Sequence, residues 1–380
     1  MKYGLIVNLR TQNIGDDIQS YAMEKFLPHT DYLIDREHLD NFYTKTGEKV
    51  AALLGGWYLH KALNWPPSPF LKLLPISFHI TTIEAKKFLT FVDYGASWLK
   101  KIEPIGCRDR GTMEELKRLN IAAYTSGCFT LTIRPLKNVE KHGKIVLVDL
   151  SDELVKFIQR RAATDTVFVS HDVKKPLLPK EAVAFARNFK HEDDLPTSHF
   201  PAQHDRAYHG NLYGGNWAYR RAVVEGLLRF YQGASLVVTG RLHAALPAVA
   251  LGTPVLMIKS EADMRNYRFS TFLPYLNCTT PEDLLSRKFS YDFDEPIIPP
   301  PNEGYKELAE GIRAKCIDFI TECETAKPDP PLDVELWREV HRRNMRLKRI
   351  MKMLIGGGIV KGGVEEPLDP NLLNPALYNF

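Results

Sequence analysis

Ser235-Leu-Val-Val-Thr-Gly-Arg-Leu-His-Ala-Ala-Leu-Pro-Ala-Val-Ala-Leu-Gly-Thr-Pro-Val-Leu-Met-Ile258 reads as strand, sharp turn, helix and second strand. Leu236 to Val238 is a short β-branched apolar run, suited to a strand buried on both faces. Gly240 supplies the corner, because a residue without a Cβ tolerates an abrupt change of direction. Ala244 to Leu251 is a run of good helix formers closed by Gly252, and Thr253-Pro254 restarts a strand at Val255. Arg241 and His243 therefore fall between the carboxyl end of a strand and the amino end of a helix. Open α/β sheets bind ligands in that crevice, and free N–H groups at a helix start favour an anion. Either cation alone would be read as a carboxylate's partner. Two of them flanking one residue, beside an uncharged helix, point to an anion site.

Working outward, the 380 residues suffice for two domains with buried cores, and 44% hydrophobic with 25% charged content is that of an ordinary globular chain. A net charge of +4 is too small to imply nucleic acid as a partner. The five cysteines (107, 128, 278, 316 and 323) form no CxxC pair and no even framework. Zinc and disulfide readings are weak, and a reducing cytoplasm is the expected setting. The amino terminus lacks the pattern of a signal peptide. The longest uncharged run, Ala244 to Ile258, is too short to span a bilayer.

Tyr3 to Leu9 reads as the first strand, followed by a polar turn and a helix from Ile18 to Leu27 that Asp16 or Asp17 can cap. Asn13, Gly15, Asp16, Asp17 and Gln19 crowd that corner with more polar chemistry than one cap requires. Asp31 to Asp35 suits a second strand, while residues 47–70 turn irregular and aromatic. There Gly55-Gly56-Trp57-Tyr58-Leu59-His60 suits a sugar-stacking lid or a packed loop equally well. Pro75 to Ile80 reads as a strand whose end carries His79, with helical segments from Ile83 to Lys101. Ile105 to Arg110 sets Arg108 and Arg110 at another strand-to-helix corner, with Thr112 and Glu115 as a capping box. Ala122 to Thr125 is a further strand, followed by Ser126-Gly127-Cys128.

Residues 134–143 have linker composition. A second α/β series follows, with strands at Lys144–Asp149 and Thr166–Ser170 and helices at Lys180–Phe189 and Tyr219–Gln232. A polar loop, Glu261 to Arg268, and the run Pro296 to Pro301 lead to an amphipathic helix, Tyr305 to Cys323. The basic stretch Val334 to Leu354 suits either an anionic membrane surface or a helix packed across the back of the protein. The tail after Gly356-Gly-Gly reads as flexible. The expected architecture is α/β: two Rossmann-like domains, 1–138 and 139–295, facing a central cleft, with a helical extension at 296–380.

Four motifs in this order resemble the polysaccharide pyruvyl transferase family: Asn13-Ile-Gly-Asp-Asp17, Ile105-Gly-Cys-Arg-Asp109, Ser126-Gly-Cys128 and Thr239-Gly-Arg-Leu-His243. The resemblance spans roughly residues 1–280 and implies a GT-B-like pair of nucleotide folds. It also implies transfer of pyruvate from phosphoenolpyruvate to a sugar as a cyclic ketal, in surface polysaccharide (exopolysaccharide) biosynthesis. The family's donor-holding Arg-Leu-His element falls on Arg241 and His243, and its Arg-Asp element on Arg108 and Asp109.

The resulting expectations are specific. Arg241 and Arg108 hold the donor anion, and His243 assists departure of phosphate. Asp16 or Asp17 is the base for the sugar hydroxyl, and Asn13, Gly15 and Asp109 shape the site. Cys128 and His79 are the candidates for the acid that protonates the donor carbon. A helix amino end lowers a histidine's pKa and a bound phosphate raises it, so both charge states of His243 stay open. Neither a metal nor a cofactor is expected, since the His and Asp spacing is not that of ligands. The acceptor would be a sugar or a lipid-linked oligosaccharide, the location cytoplasmic, with the basic helix available to the inner face of a membrane. Two rivals remain: a GT-B glycosyltransferase with a nucleotide-sugar donor, and a non-catalytic scaffold attached through residues 334–354.

Overall fold

The computed structural model describes residues 1–59, 64–81, 92–172, 178–187, 217–296 and 302–356. The helical stretch expected at 83–91, the proline run at 297–301 and the tail after 356 lie outside the described residues.

The protein is α/β with parallel strands throughout its sheets. The first half holds β1 (Lys2–Val7), β2 (Tyr32–Asp35), β3 (Val50–Leu53), β4 (Gly56–Trp57), β5 (Leu71–Leu74), β6 (Phe78–His79), β7 (Ile105–Cys107) and β8 (Ala123–Thr125). They form two four-stranded sheets, β2-β1-β3-β5 and β4-β6-β7-β8. Backbone bonds stitch the two together: Leu54 N–H to Leu74 O at 2.8 Å, Gly56 N–H to Ser77 O at 3.1 Å, and Gly106 N–H to Pro75 O at 2.9 Å. Residues 47–70, expected to be irregular, thus contribute two strands. The sequence concealed them because the run breaks at Gly55-Gly56. A Cβ on Gly55 would lie 2.5 Å from the Phe129 ring, and Gly56 has φ +122°.

The second half holds β9 (Ile145–Val148), β10 (Thr166–Val169), β11 (Leu236–Thr239), β12 (Val255–Ile258) and β13 (Asn277–Thr279) in the order β10-β9-β11-β12-β13. β9, β11 and β12 are wholly buried, as their continuous apolar runs require. Val237 pairs with Val146 on one side and Val255 on the other.

The helices are α1 (Ile14–Glu24), α2 (Val92–Lys101), α3 (Arg110–Arg118), α4 (Asp152–Gln159), α5 (Lys180–Arg187), α6 (Trp217–Gly233), α7 (Leu242–Ala250), α8 (Glu261–Arg265), α9 (Tyr267–Ser270), α10 (Pro281–Leu285), α11 (Tyr305–Thr325) and α12 (Val334–Gly356). Two starts differ from expectation. Asn13, not Asp16 or Asp17, caps α1, its Oδ1 accepting from Gly15 N–H at 3.0 Å. Asp109, not Thr112, caps α3, accepting from Thr112 N–H at 2.9 Å. In each case a short acceptor side chain earlier in the corner reaches back to the first free N–H groups. Asp16 and Asp17 thereby enter the first helical turn, where the dipole favours them.

The apolar interior is continuous between the halves. One cluster joins Leu5, Val7, Ile14 and Ile18 to Val146, Val237, Leu246 and Met257. α1 and α6 meet through a fully buried ion pair of Asp17 with Arg220, whose Nη2 also donates to Asn8 O at 2.8 Å. Beside it, Trp217 Nε1–H donates to Glu24 Oε1 at 2.9 Å. α11 adds Ile312, Cys316 and Phe319 to the same cluster. α12 returns to the first half, where Trp337 packs between Tyr43 and Phe70. No helix of the described residues is long and apolar enough to cross a membrane.

Removing one partner of a buried ion pair strands the other charge. Arg220→Ala should therefore lose about 3–5 kcal/mol of stability in denaturant unfolding; a loss below about 1 kcal/mol would mean that water reaches Asp17.

Candidate active site

A cavity of about 550 Å³ opens where the β1–α1 corner, the tip of β2, the end of β7 and the start of α7 converge. Among its lining residues are Asn13, Asp16, Asp35, Arg108, His243 and Arg268.

His243 occupies the first turn of α7, one residue beyond Arg241, which holds the N-cap position without a side-chain capping bond. The imidazole is buried against α1, and a Cβ on Gly15 would lie 2.8 Å from His243 Cβ and 2.9 Å from its Nδ1. Only a glycine lets the two helix starts approach so closely. His243 Nε2 is buried without a hydrogen-bond partner. Burial, then the neighbouring Arg108 and Arg268, push its pKa well below the usual histidine value, against the pull of Asp16. The imidazole of the free protein is neutral at pH 7.

Arg108 is 1% exposed, and its Nε and Nη2 are buried with no hydrogen-bond partner. The nearest carboxylate oxygen, Asp109 Oδ2, stands 3.6 Å from Nε. Arg268 projects from α9, its guanidinium 5.1 Å above the Trp57 ring, and its Nε too is buried and unpartnered. Burial and then Arg108 bring its pKa down to about 10, the sign of two cations held facing one space.

His79 and Asp109 form a buttress behind Arg108. His79 Nδ1 lies 2.5 Å from Asp109 Oδ2 and 3.0 Å from Thr112 Oγ1, and Asp109 also caps α3. Burial and Arg108 lower the pKa of His79 to about 4, while that of Asp109 falls to about 2 because His79 and Arg108 outweigh its burial. His79 stacks obliquely on Trp57, 5.6 Å between ring centres.

Asp16 lines the cavity but is fully engaged, accepting from Asn8 Nδ2 (3.1 Å), Thr11 Oγ1 (2.7 Å) and Arg36 Nη1 (3.2 Å). Burial raises its pKa, yet Arg36, Thr11 and His243 together bring it to about 2.

The sequence-predicted residues thus divide. Asn13, Asp16, Arg108 and His243 meet at one cavity; Gly15, Asp109 and His79 support it from behind. Three do not join them. Arg241 turns to the carboxylate of Asp149, Nε to Oδ2 3.0 Å, because the end of β9 places that anion beside the corner. Asp17 is sealed in its pair with Arg220. Cys128 is wholly buried in the core, accepting from Thr130 Oγ1 at 3.2 Å.

Arg36, Asp35 and Arg268 were missed. For Arg268 a signal existed: it follows β12, and loops after strand ends carry ligand contacts in such sheets. The aromatic stretch splits. Trp57 lines the cavity, whereas Tyr58 stacks on Phe78 in the interior at 5.2 Å.

The chain is thus a parallel α/β protein with a polar cavity lined by arginine, histidine and aspartate. A model of the polysaccharide pyruvyl transferase family matches residues 13–261, well over half of the chain, and the protein belongs to that family; it is a transferase enzyme. No curated protein matches it. Among solved structures it is similar to a functionally uncharacterized protein, KP1_0663, from Klebsiella pneumoniae subsp. pneumoniae NTUH-K2044. The two share 15% identity over 73% of this chain and 92% of that one, with a TM-score of 0.39. It is also similar to the crystal structure of accessory secretory protein 1, 2 and 3 in Streptococcus pneumoniae, at 12% identity over 83% of this chain and 56% of that one, with a TM-score of 0.31.

Two outcomes follow from the geometry. Gly15→Ala overpacks the α1–α7 contact and should cost about 1–3 kcal/mol in thermal unfolding, so an unchanged melting curve would contradict the close approach. For Asp16, the folded pKa of about 2 lies below the ordinary carboxyl value of ~3.9. Its stabilising contribution is complete above that value and lost as pH falls toward the folded one. The stability difference between wild type and Asp16→Asn should therefore shrink between about pH 4 and pH 2 in acid titrations.

Proposed function

We propose that the enzyme transfers the pyruvate unit of phosphoenolpyruvate to a sugar as a cyclic ketal, in surface polysaccharide biosynthesis. The observation that carries the reading is the set of buried nitrogen atoms of Arg108, His243 and Arg268 that lack partners around one cavity. Buried polar nitrogen atoms without a hydrogen-bond partner are costly, and an anion bound among them removes the penalty. Phosphoenolpyruvate brings a carboxylate and a phosphate, and each suits the planar fork of a guanidinium. Arg268 takes the part first expected of Arg241, whose charge Asp149 already meets.

The chemistry balances as follows. C3 of the donor gains a proton, which makes C2 electrophilic, and a sugar hydroxyl oxygen bonds to C2. The C2–O bond to phosphate breaks, and a second hydroxyl closes the ketal. Of the two hydroxyl protons, one ends on C3 through solvent and the other on the departing phosphate. Burial keeps the His243 imidazole neutral; a bound phosphate raises its pKa, so that it donates a hydrogen bond and stabilises the leaving group. In this reading residues 1–138 carry the acceptor side and residues 139–295 the donor side. The acceptor is a free sugar or a lipid-linked oligosaccharide, met in the cytoplasm where the donor is made.

Thermal shift separates this reading from a nucleotide-sugar transferase. Phosphoenolpyruvate at a hundred times its Kd should stabilise the wild type by about 2.7 kcal/mol, and UDP-hexoses should not. Arg108→Ala and Arg268→Ala should each abolish that shift. His243→Ala should keep much of it while turnover falls ~10²–10⁴-fold. Stabilisation by the nucleotide sugar alone would reverse the choice.

A further inference from the structure

The reaction needs a base for the sugar hydroxyl, and neither aspartate first considered is suited to it. Asp17 is sealed against Arg220, and both oxygens of Asp16 are taken by three donors. The cavity holds another carboxylate. Asp35 ends β2, is 8% exposed and lines the same space as Arg108 and His243. Its Oδ1 accepts from Glu37 N–H at 3.1 Å, while its Oδ2 accepts from no group among the described residues. The following residue explains why. Arg36 spends its guanidinium on Asp16 (3.2 Å) and Glu37 (3.1 Å), so no cation is bonded to Asp35 although it sits beside one. In the same lining, Arg108 Nε and Nη2 and His243 Nε2 are buried and, among the described residues, without a hydrogen-bond partner. A carboxylate, two guanidinium groups and a neutral imidazole therefore line one cavity. That arrangement suits a neutral polyhydroxyl ring on one side and a small dianion on the other, and about 550 Å³ lies within the ~300–1,000 Å³ of small-molecule sites.

We propose that Asp35 is the catalytic base, its Oδ2 taking the proton of the attacking hydroxyl. The proposal rests on the donor reading above. The hydroxyl oxygen bonds to C2 of the donor as its proton passes to Asp35 and then to solvent, which returns the proton gained at C3. Asp35 is also tuned for this task. Burial raises its pKa above the usual carboxyl value, helped by Glu37 and opposed by the Glu37 N–H, His38 and Arg36. Across the cavity it shares space with Asp16, Arg10 and the donor-holding cations. A base whose pKa lies closer to the working pH abstracts protons better than the tightly held Asp16.

The test uses the full chain, phosphoenolpyruvate, and the methyl glycosides of glucose, galactose, mannose and N-acetylmannosamine. It compares wild type, Asp35→Asn and Asp35→Glu, reading adduct mass, phosphate release and the thermal shift with donor. Asp35→Asn should bind the donor as wild type does and lose turnover by ~10²–10⁴-fold. Asp35→Glu should keep a reduced rate with an acid limb in its pH profile, which Asp35→Asn lacks.

A second readout needs no turnover. A raised folded pKa gives stability that is complete below the unfolded value of ~3.9 and lost as pH rises through the folded one. Asp35→Asn should therefore melt above wild type at neutral pH, and the gap should close on acidification. Wild-type-like turnover in Asp35→Asn overturns the proposal. So does the absence of any adduct from a protein that phosphoenolpyruvate stabilises. No stabilisation by phosphoenolpyruvate overturns the donor reading instead.

Discussion

The close approach of two helix starts, Gly15 of α1 against His243 of α7, is the contact on which the rest depends. It requires a residue without a Cβ on one side and an uncharged, buried imidazole on the other. Because the helices come so near, the apolar residues behind them merge into one interior running from Leu5 and Ile18 to Val237 and Leu246. Because both helices begin there, side chains at their starts, among them Asn13, Asp16 and His243, converge on a common space. The packing that joins the halves therefore also assembles the site.

That space is electrostatically unbalanced, and the imbalance is organised. Three of the carboxylates near it are engaged by other groups of the protein. Asp16 is bound by three donors, Asp109 by His79 and the α3 backbone, and Asp149 by Arg241. Arg108, Arg268 and the neutral His243 retain nitrogen atoms that bond nothing among the described residues. A fold gains no stability from stranded buried charge. Such atoms are retained at the expense of stability where a ligand completes them. Arg241, the most conspicuous cation in the sequence, instead sits at the surface with its Nε on Asp149.

The strand and helix pattern was largely legible in the sequence, since apolar period and corner chemistry are local properties. The strand–corner–helix unit around Gly240, the parallel runs of the second half and the helices at 217–233 and 305–325 follow from them. β3 and β4 were not legible, because Gly55-Gly56 interrupts an apolar run that tertiary contact with Phe129 keeps in the sheet. The caps shifted for a similar reason. Asn13 and Asp109 compete with later candidates for the same N–H groups, and backbone geometry decides among them.

Sequence alone determined that cations and small polar residues gather at the carboxyl ends of parallel strands, and that the chain has the ordered motifs of its family. It could not decide which of those residues face the cavity. Arg108 and Arg241 sit in equivalent corners, yet one has only the adjacent Asp109 at 3.6 Å and the other is hydrogen-bonded to Asp149, which lies 92 residues away in the chain. Partners so distant become neighbours only when β9 aligns beside β11, and an ion pair is a matter of ångströms rather than of residue type. The three-dimensional fold therefore set Arg268 and Asp35 in the lining of the cavity and Arg241 beside Asp149.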